Sequence, residues 1–374
     1  MRTRVLLGVL ALVSLVAVFT TRVSRKMPDF EVYWTAGSRA LAAEPLYRES
    51  DGHYQFKYLP AFALLTSPLA KAPLPAAKGA WFALSAVLMV VLLALSLQAL
   101  PDVRRPPALL VVLTFLTMAK FYAHELVLGQ VNLLFGVIVT LALVWMRNGR
   151  DAAAGALLAL AIVVKPYAAI FAPWAATRRN RSAFVAMAAG IILFLLLPAV
   201  RYGWNGNLRL LADWWNTVTS TTAPNLMNPD NVSLSAMFTR WLGAQSPAGA
   251  IAAVAGAVLV AVAGVVIVAR GKLKTPDTLE GALLLLLIPL LSPQGWDYVF
   301  LIGTPAVMLL INYLPALPRG LRYATVASIA IVALSIFDLM GREAYTTFMR
   351  LSVITVLAIV EVAALAALRF RRAA

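Results

Sequence analysis

An all-α polytopic membrane protein is the fold class that the sequence predicts, on three observations. Of its 374 residues, 61% are hydrophobic and only 13% are charged. The apolar residues form runs such as "VLLGVLALVSLVAVFT" and "WFALSAVLMVVLLALSLQAL", close to the roughly 20 residues that a bilayer-spanning helix needs. The cations sit mostly between those runs. Together these predict about 11 to 13 transmembrane or re-entrant segments in a single integral membrane domain over residues 1–374, with interfacial helices in the longer loops.

The first run, Val5 to Thr20, reads as a retained span. It is too long for the apolar core of a signal peptide, and "TRVSRKMPD" follows it in place of a small-residue cleavage site. A polar loop occupies 24–58. Within it Phe30, Tyr33, Trp34, Gly37 and Leu41 recur at helical spacing, which predicts an interfacial helix over 29–42 with Asp29 at its start. Asp29 is then either an N-cap, a role that Asp favours, or a functional acid. "LPAFALLTSPLAKAPLPAAKG" is half a span broken by Pro68, Pro73 and Pro75, and reads as re-entrant or as a short span.

Further along, "FYAHELVLGQVN" is a short polar segment between apolar runs. "AAAGALLALAIVVKPYAAIFAPWAATRRNR" begins and ends at basic clusters yet carries Lys165 and Pro166 at mid-depth, so it reads as a helical hairpin broken at Lys-Pro beside a cavity. The large loop 201–247 holds a second amphipathic stretch at 205–221, with Leu208, Leu211, Trp215 and Val218 on one face. "SPQGWDY" at 292–298 and "FDLMGREAYTT" at 337–347 are the last polar breaks.

The net charge of +16 would suggest nucleic acid in a soluble domain, but the positions of the cations decide otherwise. Seven stretches between apolar runs hold 17 of the 32 Lys and Arg: Arg2 and Arg4, Arg104 and Arg105, Arg147 and Arg150, 178–181, 270–274, Arg319 and Arg322, and 369–372. By the positive-inside rule these stretches and both termini face the cytoplasm, and the remaining polar segments face outward. No partner nucleic acid is implied. With no cysteine and two histidines, neither a disulfide framework nor a typical zinc site is expected, and no Gly-rich phosphate loop is present.

The outward side collects the candidate chemistry. Asp29 shares it with His124, Glu125, Gln130, Asn132, Asn231, Gln294, Trp296 and Asp297, the amides, acids and stacking indole from which carbohydrate sites are built. Lys57 and Tyr58 in "KYLPAF" are either an interfacial snorkelling pair or a cation at the cavity mouth. Lys165 is either paired with a buried acid or faces a pathway, since an intramembrane cation costs roughly 2.5 to 3.5 kcal/mol on insertion scales.

In the order "DFEVYWTAGSRALAAEPLYRE", "FKYLPAFALLTSPLAKAPLP", "LGQVNLLFGVIVTLALVWMRNGRDAAAGALLALAIVVKP", "NVSL" and "LLSPQGWDYVFL", the chain resembles the polyprenol-phosphate-sugar-dependent glycosyltransferases of family 87, which have the GT-C membrane fold. The resemblance covers residues 27 to about 300. It implies a GT-C-type bundle in a bacterial inner membrane, with the active site on the periplasmic side. It also implies Asp29 as general base and a donor entering from the bilayer lipid. The chain departs from the family at Tyr298, where histidine often follows the Trp-Asp pair; His124 is the imidazole left to stand in for it.

Residues and resemblance together give a hexosyl- or pentosyltransferase of the cell envelope. Sugar passes, with inversion, from a polyprenyl-monophosphate donor to a hydroxyl of a glycolipid or glycan acceptor. Mannose is the first choice of sugar and arabinofuranose the second. Asp29 is the catalytic candidate; Lys165, Lys57 and Arg209 are the phosphate candidates; Tyr33, Tyr58 and the outward polar set complete the substrate site. No metal ligand is assigned. A divalent cation held by Glu125 and Asp297, and direct hydrogen bonds from them to sugar hydroxyls, both stay open. The rival reading is a flippase or transporter of a lipid-linked substrate, for which broken helices are equally natural.

Overall fold

The computed structural model describes residues 13–178, 180–244, 247–269 and 276–370. Residues 5–12 of the expected first span, Arg2 and Arg4, Arg179, 270–274, and Arg371 and Arg372 lie outside the described residues. Among the described residues there is no strand, and the fold is all helical.

Helix α1 (Val13–Val23) leads to α2 (Pro28–Ala42), the helix expected at the interface, which starts and stops for identifiable reasons. Pro28 at N1 has the fixed φ a first turn needs. At the other end Ala43 adopts a left-handed conformation (φ 56°), and the Glu44 amide bonds back to the Arg39 carbonyl. Phe30, Tyr33, Ala36, Gly37 and Ala40 are buried in the protein; Phe30, Tyr33 and Gly37 belong to the face that the periodicity marked for the interface, and Leu41 of that face stays exposed. Gly37 is required there, because a Cβ would lie 3.0 Å from the Thr66 carbonyl oxygen in the neighbouring α3 (Pro60–Thr66).

Helix α3 has seven residues, about 10 Å of rise, far short of a span. Its end is tied back to α2 by the Thr66 hydroxyl on the Tyr33 carbonyl, and the following turn by the Trp34 indole on the Ala72 carbonyl. The ambiguous Pro-rich segment thus begins with a short helix packed back against α2, not with a full span. Helix α4 (Leu74–Ala99) then runs 26 residues away from this end of the bundle, α5 (Pro107–Leu128) runs back, and α6 (Asn132–Arg147) reverses again.

The basic clusters and the cavity mark opposite ends of this bundle. At one end Arg147 bonds the Leu100 carbonyl, and the Arg104 amide bonds Asn312 Oδ1 at 2.8 Å. There too Arg178 pairs with Asp151 and Asp277, closing the ends of α7 (Asp151–Val164) and α13 (Asp277–Leu291) together. From that end α7 rises only 14 residues before Lys165 and Pro166 break it, and a 3-10 turn and α8 (Phe171–Ala176) bring the chain back to Arg178. The hairpin broken at Lys-Pro has the predicted form. Gly155 lets α7 touch α9 (Ser182–Leu196), since a Cβ there would overlap the Ala183 carbonyl.

After α9 the chain bends by 89° into α10 (Ala199–Ser220), the second helix expected at the interface, kinked at Gly203. Its Val200, Trp204, Leu208 and Trp215 are exposed, an apolar stripe suited to lipid. There follow α11 (Leu234–Leu242), α12 (Ala248–Val268), α13, and a 3-10 turn (Asp297–Gly303) entering α14 (Thr304–Tyr313). Then come α15 (Arg319–Leu334), the short α16 (Phe337–Met340) and α17 (Arg342–Arg350), and α18 (Val353–Phe370). By length and composition α4, α5, α12, Asp297–Ala316 and α18 can each cross a membrane, and α9 with its bent continuation makes a sixth; α1, α6 and α7 are shorter apolar helices.

Candidate active site

Residues 24–27 dock on the far end of α5. The Met27 amide donates to the Val127 carbonyl at 3.0 Å, and the Lys78 ammonium bonds the Lys26 carbonyl (2.7 Å) and Glu31 (2.5 Å). Met27 itself adopts φ 66° and is the N-cap of α2. Asp29 is therefore the second helical residue. It makes no capping bond, so the N-cap reading of this acid is overturned.

The segment "HELVLGQVN" is mostly helix. His124 and Glu125 lie in the last turns of α5, and only 129–131 form the turn, with Gly129 at φ 69°. The Trp81 indole N–H bonds the Gly129 carbonyl at 2.9 Å and fixes where Gln130 points. Gln130 is the hub of the site. Its Oε1 accepts from the hydroxyls of Tyr33 (2.9 Å) and Tyr58 (3.4 Å) and from Lys165 Nζ (3.4 Å); its Nε2 donates to the Tyr298 hydroxyl (3.3 Å), and the same side chain helps to stabilise the charge of the Asp29 carboxylate.

These residues line a cavity of about 380 Å³. Of the candidates, Asp29, Tyr33, Lys57, Tyr58, His124, Gln130, Lys165, Gln294 and Trp296 face it. Lys165 comes from the α7 break, its Nζ lying 5.0 Å from the centre of the Tyr58 ring. Lys57 is held by its own backbone, whose carbonyl accepts the Trp214 indole of α10 at 3.2 Å. Burial pushes the Asp29 carboxyl above its ordinary range, against the opposing pull of the Gln130 bond and of Lys165, His53 and His124. Burial lowers Lys57 in turn, and the Asp29 charge pulls it back.

Five candidates are not in the lining. Glu125 is buried behind Gln130, its two oxygens taken by Asn132 Nδ2 (2.8 Å) and the Leu133 amide (3.0 Å). Asn132 in turn accepts from the Tyr167 hydroxyl at 3.0 Å, so both form the layer beneath the cavity. Asn231 joins "NPDNVSL" to "SPQGWD" through Nδ2 on the Pro293 carbonyl and a bridge to Trp296. Asp297, 2% exposed, holds His124 Nδ1 at 3.0 Å and accepts the Tyr298 amide. Arg209 is exposed on α10 and does not reach the cavity.

Tyr298 and His124 are neighbours, ring centres 5.1 Å apart in an edge-on contact. Sequence reasoning missed several lining residues: His53, Tyr167, Thr222, Asn228 and Asp230. It also missed Lys120, a second cation inside an apolar run and one helical turn before His124. Its Nζ bonds both oxygens of Ser335 at 3.1 Å and lies against Tyr345 and Phe348. Applying to "TMAKFYAHE" the rule that singled out Lys165 would have found it.

The fold and the cavity define a polytopic membrane enzyme whose acid, amides and lysines open on one end of the bundle. The chain matches the model of glycosyltransferase family 87 over residues 56–293, more than half its length, and belongs to that family. Asp29, Tyr33, Trp296 and Asp297 lie outside the matched stretch. No curated protein and no solved structure shows a significant match to the chain.

Proposed function

We propose that the protein transfers a sugar from a polyprenyl monophosphate to an acceptor hydroxyl on the outward face of the membrane, with Asp29 as general base. One observation carries this reading: Asp29, Lys57 and Lys165 face the same cavity, and among the described residues none of them is in an ion pair. A carboxylate and two ammonium groups held apart suit a substrate that is anionic at one end and gives up a proton at the other.

In the reaction the acceptor oxygen attacks the anomeric carbon and its proton passes to Asp29. The bond from that carbon to the phosphate oxygen breaks on the opposite face, giving inversion, and the lipid phosphate leaves with the electron pair. Phosphate is already a good leaving group, so one carboxylate suffices where a glycoside hydrolase uses two. Lys165 and Lys57 neutralise the departing charge. Burial, by raising the Asp29 pKa, makes it a stronger base than a surface carboxylate.

Mannose is the preferred sugar, arabinofuranose the second; a glycolipid or glycan of the cell envelope is the acceptor. The opposite, basic end of the bundle faces the cytoplasm on this reading, as the positive-inside rule requires of Arg104, Arg147, Arg178 and Arg319. The test is to incubate purified protein in lipid with a panel of labelled polyprenyl-phosphate sugars and acceptor glycans, beside Asp29→Asn. Label should move from one donor of the panel with wild type and fall by about 10²- to 10⁴-fold in the variant. Transfer from nucleotide sugars alone, or an Asn variant as fast as wild type, would overturn the proposal.

A further inference from the structure

Outside the cavity, on the other side of Pro28, runs a second recess of about 260 Å³ lined by Glu31, Thr35, Arg39, Asp51, Tyr54 and Phe56 together with Pro28 and Val32. Pro28, Val32 and Tyr54 line the cavity as well, so the two spaces adjoin across these three side chains, next in sequence to Asp29. The recess is built rather than incidental. Arg39 grips Asp51 with both terminal nitrogens, at 2.5 and 2.8 Å, and so locks the loop 49–54 against α2. Glu31 is fixed on its far side by Lys78 at 2.5 Å.

The chemistry of the walls selects the occupant. Arg39 and Glu31 are each already paired, and two carboxylates share the lining with one guanidinium, so an anion gains nothing there. An acyl or prenyl chain would have to cover charged groups without replacing their hydrogen bonds. What fits is a neutral, hydroxyl-rich ligand that bonds to carboxylate, guanidinium and threonine while laying a ring face on an aromatic side chain. Tyr54, 53% exposed, offers such a face at the junction with the cavity.

We propose that this recess is the acceptor subsite, and that it binds the sugar rings of a neutral glycan whose terminal hydroxyl reaches Asp29 past Tyr54. The inference rests on the transfer reading above, and its test has a readout that needs no transfer. Because the chain has no cysteine, Thr35→Cys places a lone thiol in the recess and Ser50→Cys one on the surface. The rate of alkylation by an impermeant maleimide is measured on protein in nanodiscs, with and without short neutral mannose and arabinose oligosaccharides.

The saccharides should slow alkylation at position 35 by about threefold or more and leave position 50 unchanged. In the transfer assay, Thr35→Trp, which fills the recess, should raise the acceptor KM by about tenfold while the donor KM stays put, with thermal stability measured alongside. Unchanged alkylation at position 35 with every neutral saccharide would overturn the subsite, as would protection by inorganic phosphate or an amine alone. Protection without any sugar transfer would instead sink the transferase reading and leave the glycan site standing.

Discussion

Lys165 lies over the face of Tyr58, its Nζ 5.0 Å from the ring centre, and among the described residues no carboxylate is within ion-pair distance of it. Lys165 is therefore not half of a close ion pair, although its charge still acts on the buried Asp29 carboxylate at longer range. Its positive charge is held by an aromatic face and an amide oxygen, both of which leave it available to an incoming anion.

From this, Lys165→Met should raise the donor KM by about 10- to 100-fold, the equivalent of a charged hydrogen bond at about 1.5 to 3 kcal/mol. Thermal stability should fall less than activity does, because Lys165 makes no close ion pair and acts on the Asp29 carboxylate only at longer range. The measurement is steady-state kinetics beside a melting curve in the same detergent. A variant that melts early while its folded fraction keeps wild-type kinetics would make Lys165 structural.

Asp29 gives opposite signs for activity and stability. Its folded pKa is raised by burial, so between the unfolded value and that raised value the native state holds the extra proton. Its contribution to stability is fully present below the unfolded pKa and is lost as pH rises through the folded one. Asp29→Asn removes this cost and leaves the Met27 cap untouched, so the variant should melt at an equal or higher temperature at neutral pH. Transfer by wild type should fall as pH drops through the same raised pKa, because the base is then protonated; a flat acid limb in a kcat/KM profile would count against Asp29.

Gly129 should tolerate no side chain. Its φ of 69° disfavours any L-residue, and a Cβ would stand 2.8 Å from that of Phe30 and 3.0 Å from that of Met27. Gly129→Ala should cost about 1 to 3 kcal/mol. Because α2 and Gln130 meet at this contact, activity should fall with stability, and a variant as stable and active as wild type would show the α2 packing to be wrong.

Orientation can be read chemically in a chain without cysteine. Ser50→Cys, on the cavity side, should be labelled by an impermeant thiol reagent in intact cells, and Gly320→Cys, at the basic end, only after permeabilisation. The reverse pattern would put the cavity in the cytoplasm, where nucleotide sugars are available.

Much of this site was legible because membrane sequences expose their exceptions. The face of Phe30, Tyr33 and Gly37 followed from spacing, and the break at Lys165 from a proline beside a cation in an apolar run. The position of Asp29 was misread although the signal was present: Pro28 belongs at N1, which puts the cap at residue 27 and Asp29 one place inside. His124 and Glu125 were read as part of a polar segment between spans because polarity was taken for a break in the helix; Gly129, whose left-handed φ ends it, was the better marker. That Glu125, Asn231 and Asp297 would support the cavity from behind was beyond reach. Those roles depend on which spans are neighbours, and hydropathy is silent on that.

The right-angle bend between α9 and α10 has a mechanical consequence. Trp204, Leu208 and Trp215 form an exposed apolar stripe on α10 that suits the lipid surface, while from the same helix the Trp214 indole grips the Lys57 backbone and Val218 borders the cavity. On the proposed orientation the helix would act as a waterline, tying the height of the reacting groups to the level of the headgroups rather than to the middle of the bilayer. A thicker or thinner membrane, which would merely tilt a simple span, would here tug on the wall that carries Lys57. Turnover in this enzyme should therefore track lipid chain length.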